Sequence, residues 1–224
     1  MRLATPLVRW AAFPLPDTIS GEVRFDVGDC LFACVAFWLN VALQRTMFNA
    51  RSLRHGVAGA LAWPETRPLL ESILQELQAT AGLVAAPTLA EAQALVLRRD
   101  CWGCHGLLVV LTFFCSRLLE RRVGFVIAEL TPAGAVRQPP LQVPDEGDFE
   151  LGCVLHYQIL GDGAQDNNHY RLLASRSGAV LFDVRALRWL PSVAALDAAG
   201  EAAGAASEAS SEDEEAWCRR RGEL

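Results

Sequence analysis

The chain has 224 residues, of which 52% are hydrophobic and 21% are charged, and its formal net charge at pH 7 is −6. This length and composition predict one folded domain with a tail and exclude a wholly disordered chain. The segment 197–224 holds eight acidic residues and three arginines, so it carries −5 of the charge and leaves the body near −1. A body without a basic surplus argues against nucleic-acid binding as the main role.

The seven cysteines are odd in number, and several, such as Cys115 and Cys153, lie inside apolar runs. This pattern is typical of buried free thiols in a reducing compartment. Arg9 and three early prolines interrupt the apolar stretch at the N-terminus, so no signal peptide is predicted. The longest apolar run, 106–115, is about half the length that crosses a bilayer. We therefore expect a cytoplasmic monomer without a membrane span.

The first half of the chain predicts mainly helices. Residues 1–20 contain three prolines and predict an irregular arm, followed by a short strand at 23–25 and a turn at 26–29. From Cys30 to Leu43 apolar residues recur at helical spacing, and Asp29 is placed to cap that helix. One face of this helix is predicted to be buried. Further helices are predicted at 51–60, at 68–79, at 88–98 with a capping box formed by Thr88 and Glu91, and at 106–119.

The second half predicts strands at 123–130, 153–160, 169–174 and 179–184, with a Pro- and acid-rich loop at 135–150. From about residue 192 onward Ala, Glu, Ser and Gly dominate, and this composition predicts an acidic disordered tail. Helices precede strands, so the predicted fold class is α+β, a helical part packed on a small, mostly antiparallel sheet. The predicted organisation is an arm at 1–20, a domain at 21–191 and a tail at 192–224.

Two short segments, Gly28–Phe32 and Asn168–Tyr170, carry the candidate chemistry. The first places Cys30 at a helix start, where exposed backbone N–H groups stabilise a thiolate and could hold an oxyanion. The second supplies His169, which lies 139 residues further along the chain. A thiol nucleophile and its base are distant in sequence and close in space. The pair therefore predicts a cysteine nucleophile with a histidine base.

The segment Gly28–Phe32 at a helix start resembles the nucleophile motif of the ovarian tumour (OTU) family of cysteine proteases. Asn168–Tyr170, after the strand at 154–159, resembles that family's histidine motif. Trp102-Gly103, followed by an apolar helix and a strand at 123–127, is similar to the family's middle segment. The three matches follow the family's order over residues 20–190. The resemblance implies a papain-like fold and hydrolysis of the isopeptide bond after the C-terminal Gly-Gly of ubiquitin or a ubiquitin-like protein, with no cofactor.

Carried over residue by residue, the resemblance implies that Cys30 is the nucleophile and His169 the general base. It implies that the backbone N–H groups of Asp29 and Cys30 form the oxyanion hole, and that Trp102 belongs to the core and the wall of the site. The sequence departs from the family at Val27, where an aspartate is usual.

A second departure concerns the group that orients the histidine. Many family members have Asp or Asn two residues after the histidine, and this chain has Arg171, which cannot accept a hydrogen bond from the imidazole. The sequence therefore predicts either a Cys–His dyad or a third residue from elsewhere. The candidates for that residue are Asp26, which we prefer as an upstream carboxylate, and Asp29, Asn167 and Asn168.

Divergent viral members of the family resemble this pattern more than cellular ones do. Three hypotheses stay open. The first is a viral deubiquitinase that counters host ubiquitin signalling from the host cytosol. The second is a catalytically impaired OTU-like module that binds ubiquitin or a host partner, and the third is a protease that mainly processes its own polyprotein.

Two further cysteine patterns compete with this interpretation. Cys101, Cys104 and His105 match the short C-x-x-C-H motif of haem attachment and could contribute to a zinc site. No second pair of ligands accompanies them, so we expect a turn that leads into the buried helix, without metal or haem. Cys34 follows Cys30 by one helical turn and is expected to be a core residue.

Overall fold

The computed structural model describes residues 22–23, 29–101, 103–128, 141–145, 148–160, 167–175, 179–183 and 188–190. For residues 22–23, 158–160, 167–169 and 188 it describes the backbone only. The predicted arm, the tail and most of the turn at 26–29 lie outside the described residues. None of the described helices is long and apolar enough to cross a membrane.

The described residues form five α-helices in the predicted order: α1 Cys30–Leu43, α2 Ala50–Ala60, α3 Leu70–Thr80, α4 Leu89–Val96 and α5 His105–Leu119. A short 3₁₀ turn, Arg67–Leu69, leads into α3. Reciprocal capping boxes begin α2, with Asn49 and Ser52, and α4, with Thr88 and Glu91 as predicted. The predicted helices are therefore confirmed, although α4 ends two residues earlier than expected.

In the part of the chain that the structure describes, seven strands form one sheet: β1 Glu22–Val23, β2 Val123–Ala128, β3 Leu141–Val143, β4 Leu151–Leu160, β5 Asn167–Leu173, β6 Phe182–Asp183 and β7 Arg188–Trp189. The order is β1-β5-β4-β2-β3, and β6 pairs with the start of β4 and with β7. The β2–β4 pair is parallel and every other pair is antiparallel. The predicted α+β class with a mostly antiparallel sheet is confirmed.

Two strands were not expected from the sequence. β3 lies inside the segment 135–150 that predicted a loop, and it pairs with β2 through Phe125 and Val143. It has three residues and is bounded by prolines on both sides. A segment this short cannot show the alternation of apolar and polar residues that signals a strand. β7 has only two residues and lies next to the predicted end of the domain.

The first helix forms the centre of the core. Nine of its fourteen residues are buried, so the prediction of one buried face is wrong: α1 packs on β4 and β5 with one side and on α2 and α5 with the other. The indole N–H of Trp38 donates a hydrogen bond to the carbonyl of Gly152 on β4 at 2.9 Å. Its ring also meets Phe125 edge-on, with 5.9 Å between ring centroids. These contacts hold the middle of α1 beside the sheet.

Candidate active site

The sulfur of Cys30 touches the strand that carries His169. Cys30 is the first residue of α1 and is 3% exposed. Its Sγ accepts a hydrogen bond from the backbone N–H of Tyr170 on β5 at 3.4 Å. His169 immediately precedes Tyr170, and its backbone is paired with Gln158 of β4. The fold thus brings together the two segments that the sequence singles out, while the side chain of His169 lies outside what the structure describes.

A second sulfur, that of Cys34, contacts the backbone carbonyl of the same residue, Tyr170. Cys34 is fully buried and donates to the backbone carbonyl of Tyr170 at 3.6 Å. Burial raises the pKa of the Cys34 thiol well above its ordinary value, and the neighbouring Cys30 acts in the same direction. The Tyr170 ring packs on Tyr157 with 5.1 Å between centroids. Cys34 is therefore a core residue, as predicted, and it helps to set the position of β5 against α1.

The pKa of Cys30 is set by opposing influences. Burial is the largest, and it raises the pKa of the thiol above its ordinary value. The backbone N–H groups of Tyr170, Leu31 and Cys30 lower it, as does the positive charge of Arg54. The stabilisation expected at a helix start is present, but loss of solvation outweighs it. At neutral pH the thiol therefore needs a base to take its proton before it can attack a carbonyl.

Asp29 occupies the predicted N-cap position, but its side chain makes no capping hydrogen bond. Instead, Oδ1 accepts from Nε of Arg54 at 2.9 Å and Oδ2 accepts from Nε of Arg99 at 2.8 Å. The prediction of side-chain capping is wrong because the buried guanidinium of Arg54 requires a counter-charge more than the helix start requires a cap. The same two bonds occupy both oxygens of one candidate for the third catalytic residue.

The other candidates for a third catalytic residue are less fully described. Asp26 lies outside the described residues, together with Val27 and Gly28. Asn167 and Asn168 belong to β5, where their backbones pair with Leu160 and Ile159. The position of Arg171 is opposite His156 of β4, and Arg171 is half-buried.

The start of α1 has amides that no carbonyl of the same helix accepts. The first amide bonded within the helix is that of Ala33, which donates to the carbonyl of Asp29 at 2.8 Å. The N–H groups of Cys30, Leu31 and Phe32 come before it, and such groups have no partner within a helix. The predicted oxyanion donors, the N–H groups of Asp29 and Cys30, are at this same end and remain a prediction.

The segment Cys101–His105 packs on the first turn of α1. A side-chain carbon at Gly103 would overlap Cδ2 of Leu31, so any larger residue here requires the Leu31 side chain to shift. Cys101 is buried, and burial raises the pKa of Cys104 to about 12. Within the described part of the chain, no group of three or more His, Cys, Asp or Glu residues could hold a metal ion. Trp102 lies outside the described residues.

Sequence reasoning missed Arg54. Its side chain is 2% exposed, and its guanidinium lies 4.1 Å from the centroid of the Phe32 ring. A signal was present: Arg54 lies three residues before Val57 and four before Ala58, on the apolar side of α2. A charge on the apolar face of a helix indicates a buried partner.

Comparisons with known proteins identify two similar solved structures. No protein-family model and no curated protein sequence matches the chain. One similar structure is an OTU domain in complex with ubiquitin, 14% identical, with a TM-score of 0.44 over 80% of this chain and 85% of that chain. The other is the viral OTU domain protease from Dera Ghazi Khan virus, 18% identical, with a TM-score of 0.41 over 72% of this chain and 83% of that chain. Both are OTU domains, the family that the sequence motifs resemble.

Proposed function

We propose that the chain is a cysteine hydrolase of the OTU type, which cleaves the bond after the C-terminus of ubiquitin or a ubiquitin-like protein. The observation that carries the proposal is the 3.4 Å hydrogen bond from the Tyr170 N–H to the Cys30 sulfur. It puts the candidate nucleophile beside the residue that follows the candidate base. A cysteine at a helix start with a histidine-bearing strand against it supports the proposal of a thiol nucleophile. The choice of substrate rests on the sequence motifs.

In the proposed reaction, His169 takes the proton of Cys30, and the sulfur attacks the carbonyl carbon of the last ubiquitin residue. The N–H groups of Asp29 and Cys30 hold the oxyanion that forms. The C–N bond then breaks, the amine leaves with the proton from His169, and a thioester remains. Water gives a proton to His169 and attacks the thioester, releasing the ubiquitin carboxylate and the thiol. We propose Asp26 as the group that orients the imidazole, and a Cys–His dyad as the alternative.

A ubiquitin molecule with a fluorogenic amide at its C-terminus tests this function directly. We expect the full chain to release the fluorophore, and we expect pretreatment with iodoacetamide to abolish the release because the thiol is alkylated. Cys34→Ser is the matched control, since it removes the other sulfur on the same helical face and keeps a hydroxyl that can donate to the Tyr170 carbonyl. This variant should remain active and remain sensitive to iodoacetamide. No release by the untreated wild type, or release that survives alkylation of Cys30, would contradict the proposal.

One observation favours a second candidate, a catalytically impaired module that binds ubiquitin. Arg171 is in the position where many OTU proteins carry the residue that orients the histidine, and it cannot accept the imidazole N–H. Under this alternative the wild type binds ubiquitin in a titration but releases no fluorophore. The resemblance to viral members extends the main proposal to an enzyme that counters host ubiquitin signalling in the cytosol. A protease that mainly processes its own polyprotein stays an alternative.

A further inference from the structure

The carboxylate of Asp29 does not cap the helix that it begins. An aspartate at an N-cap ordinarily accepts hydrogen bonds from the second or third amide of its helix. Here the side chain makes no such bond, and both oxygens are held by arginines. The carboxylate is 18% exposed, so the arrangement is partly shielded from water.

Of the two arginines that bond to Asp29, Arg54 is the buried one. Its Nη1 donates to the carbonyl of Val96 at 2.8 Å, and Nη1 and Nη2 both donate to the carbonyl of Cys101 at 3.2 Å. Together with the Nε bond to Asp29 and the contact with the Phe32 ring, these bonds fix the guanidinium in one place. The side chain thus ties α2, the segment after α4 and the residue before Cys30 into one unit.

The groups of this unit influence the charge on the Cys30 sulfur. The N–H groups of Leu31 and Cys30 and the charge of Arg54 lower the pKa of the Cys30 thiol. A carboxylate that capped α1 would occupy first-turn amides and bring a negative charge close to the thiolate. The other titratable groups near Cys30 are Cys34 on its own helix, and Tyr170 and the adjacent His169 on β5.

We propose that Arg54 is a positioning residue, which draws the Asp29 carboxylate away from the start of α1 and keeps the first-turn amides available to the Cys30 thiolate and to an oxyanion. The inference deepens the proposed function and rests on it for the role of the oxyanion. Its effect on the thiol requires no substrate.

The pH profile of Cys30 alkylation tests this role in the full chain. Iodoacetamide modification is measured on the Cys30 peptide by mass spectrometry, with thermal unfolding recorded in parallel. We expect Arg54→Met to move the midpoint up by about one pH unit, because it removes a positive charge and frees the carboxylate. The double variant Arg54→Met with Asp29→Ala should return toward the wild-type midpoint. Its melting temperature should stay low, because the bonds to the carbonyls of Val96 and Cys101 are still missing.

Matched variants separate this role from folding. Arg51→Met changes an exposed arginine of the same helix and should leave the profile unchanged. If Arg54→Met does not fold, Asp29→Ala is decisive: it removes the negative charge and leaves no side chain that could cap α1, so the midpoint should move down. A double variant that alkylates like Arg54→Met, an Arg54→Met profile equal to wild type, or an Asp29→Ala midpoint that does not fall would overturn the proposal. Because alkylation requires no ubiquitin, a wild type that gives the expected profiles but releases no fluorophore contradicts the proposed function alone.

Discussion

Replacing His169 with alanine is expected to lower kcat/KM for hydrolysis of a ubiquitin C-terminal amide by about a hundred- to ten-thousandfold. Burial raises the pKa of the Cys30 thiol, so without an adjacent base the sulfur keeps its proton at neutral pH. The thiolate then forms only as the pH rises through that raised pKa. In the variant we therefore expect the residual activity and the alkylation of Cys30 to increase steadily above neutral pH, whereas the wild type should be active at neutral pH.

His55→Ala is the matched control for this prediction. His55 lies on α2, and the sequence gives it no place in the motifs. Its replacement should change kcat/KM by less than about threefold, within the range of an ordinary surface substitution. An unchanged rate in His169→Ala, or an equal loss in both variants, would exclude His169 as the base.

Replacing Arg54 with methionine is expected to lower the free energy of unfolding by about 3–5 kcal/mol. The substitution removes the donors to the Asp29 carboxylate and to the carbonyls of Val96 and Cys101, and leaves these acceptors partly buried. It also removes the cation above the Phe32 ring. Urea unfolding followed by circular dichroism measures the loss.

Arg99→Met is the matched control, because it removes the exposed ion pair of Asp29 and leaves the buried bonds of Arg54 in place. Arg99 bonds to the other oxygen of the same carboxylate, but its side chain is 70% exposed, so its loss should change stability by about 0–1 kcal/mol. Equal losses in the two variants would mean that the Asp29 ion pairs, and not the carbonyl contacts of Arg54, account for the stability.

The helices could be predicted because their signals are local. The apolar spacing of α1 and α5 and the capping box of Thr88 and Glu91 lie within one or two turns of each element. The edge strand β3 could not be predicted, because three residues between prolines carry too short a pattern. Its position depends on the neighbouring strand β2, which lies at a distance in the chain.

The site divides in the same way. Cys30 at a helix start could be predicted from its own surroundings. The role of His169 stays a prediction from its motif, and the fold places the backbone of its strand beside the Cys30 sulfur. The direction of the Asp29 side chain could not be predicted, because it is set by Arg54, 25 residues away, whose buried charge overrides the local capping preference. The C-x-x-C-H pattern at Cys101 is likewise explained by packing, because Gly103 closely approaches Leu31. The spacing of the cysteines alone does not reveal this contact.

Intact mass spectrometry of the full chain, mixed with ubiquitin that carries a thiol-reactive group in place of its C-terminal carboxylate, tests most directly whether Cys30 is a nucleophile for this substrate. We predict a mass increase of one ubiquitin, mapped by digestion to Cys30. The adduct should be absent in Cys30→Ala and retained in Cys34→Ser. A wild type that forms no adduct, or an adduct that persists in Cys30→Ala, would contradict the assignment of Cys30.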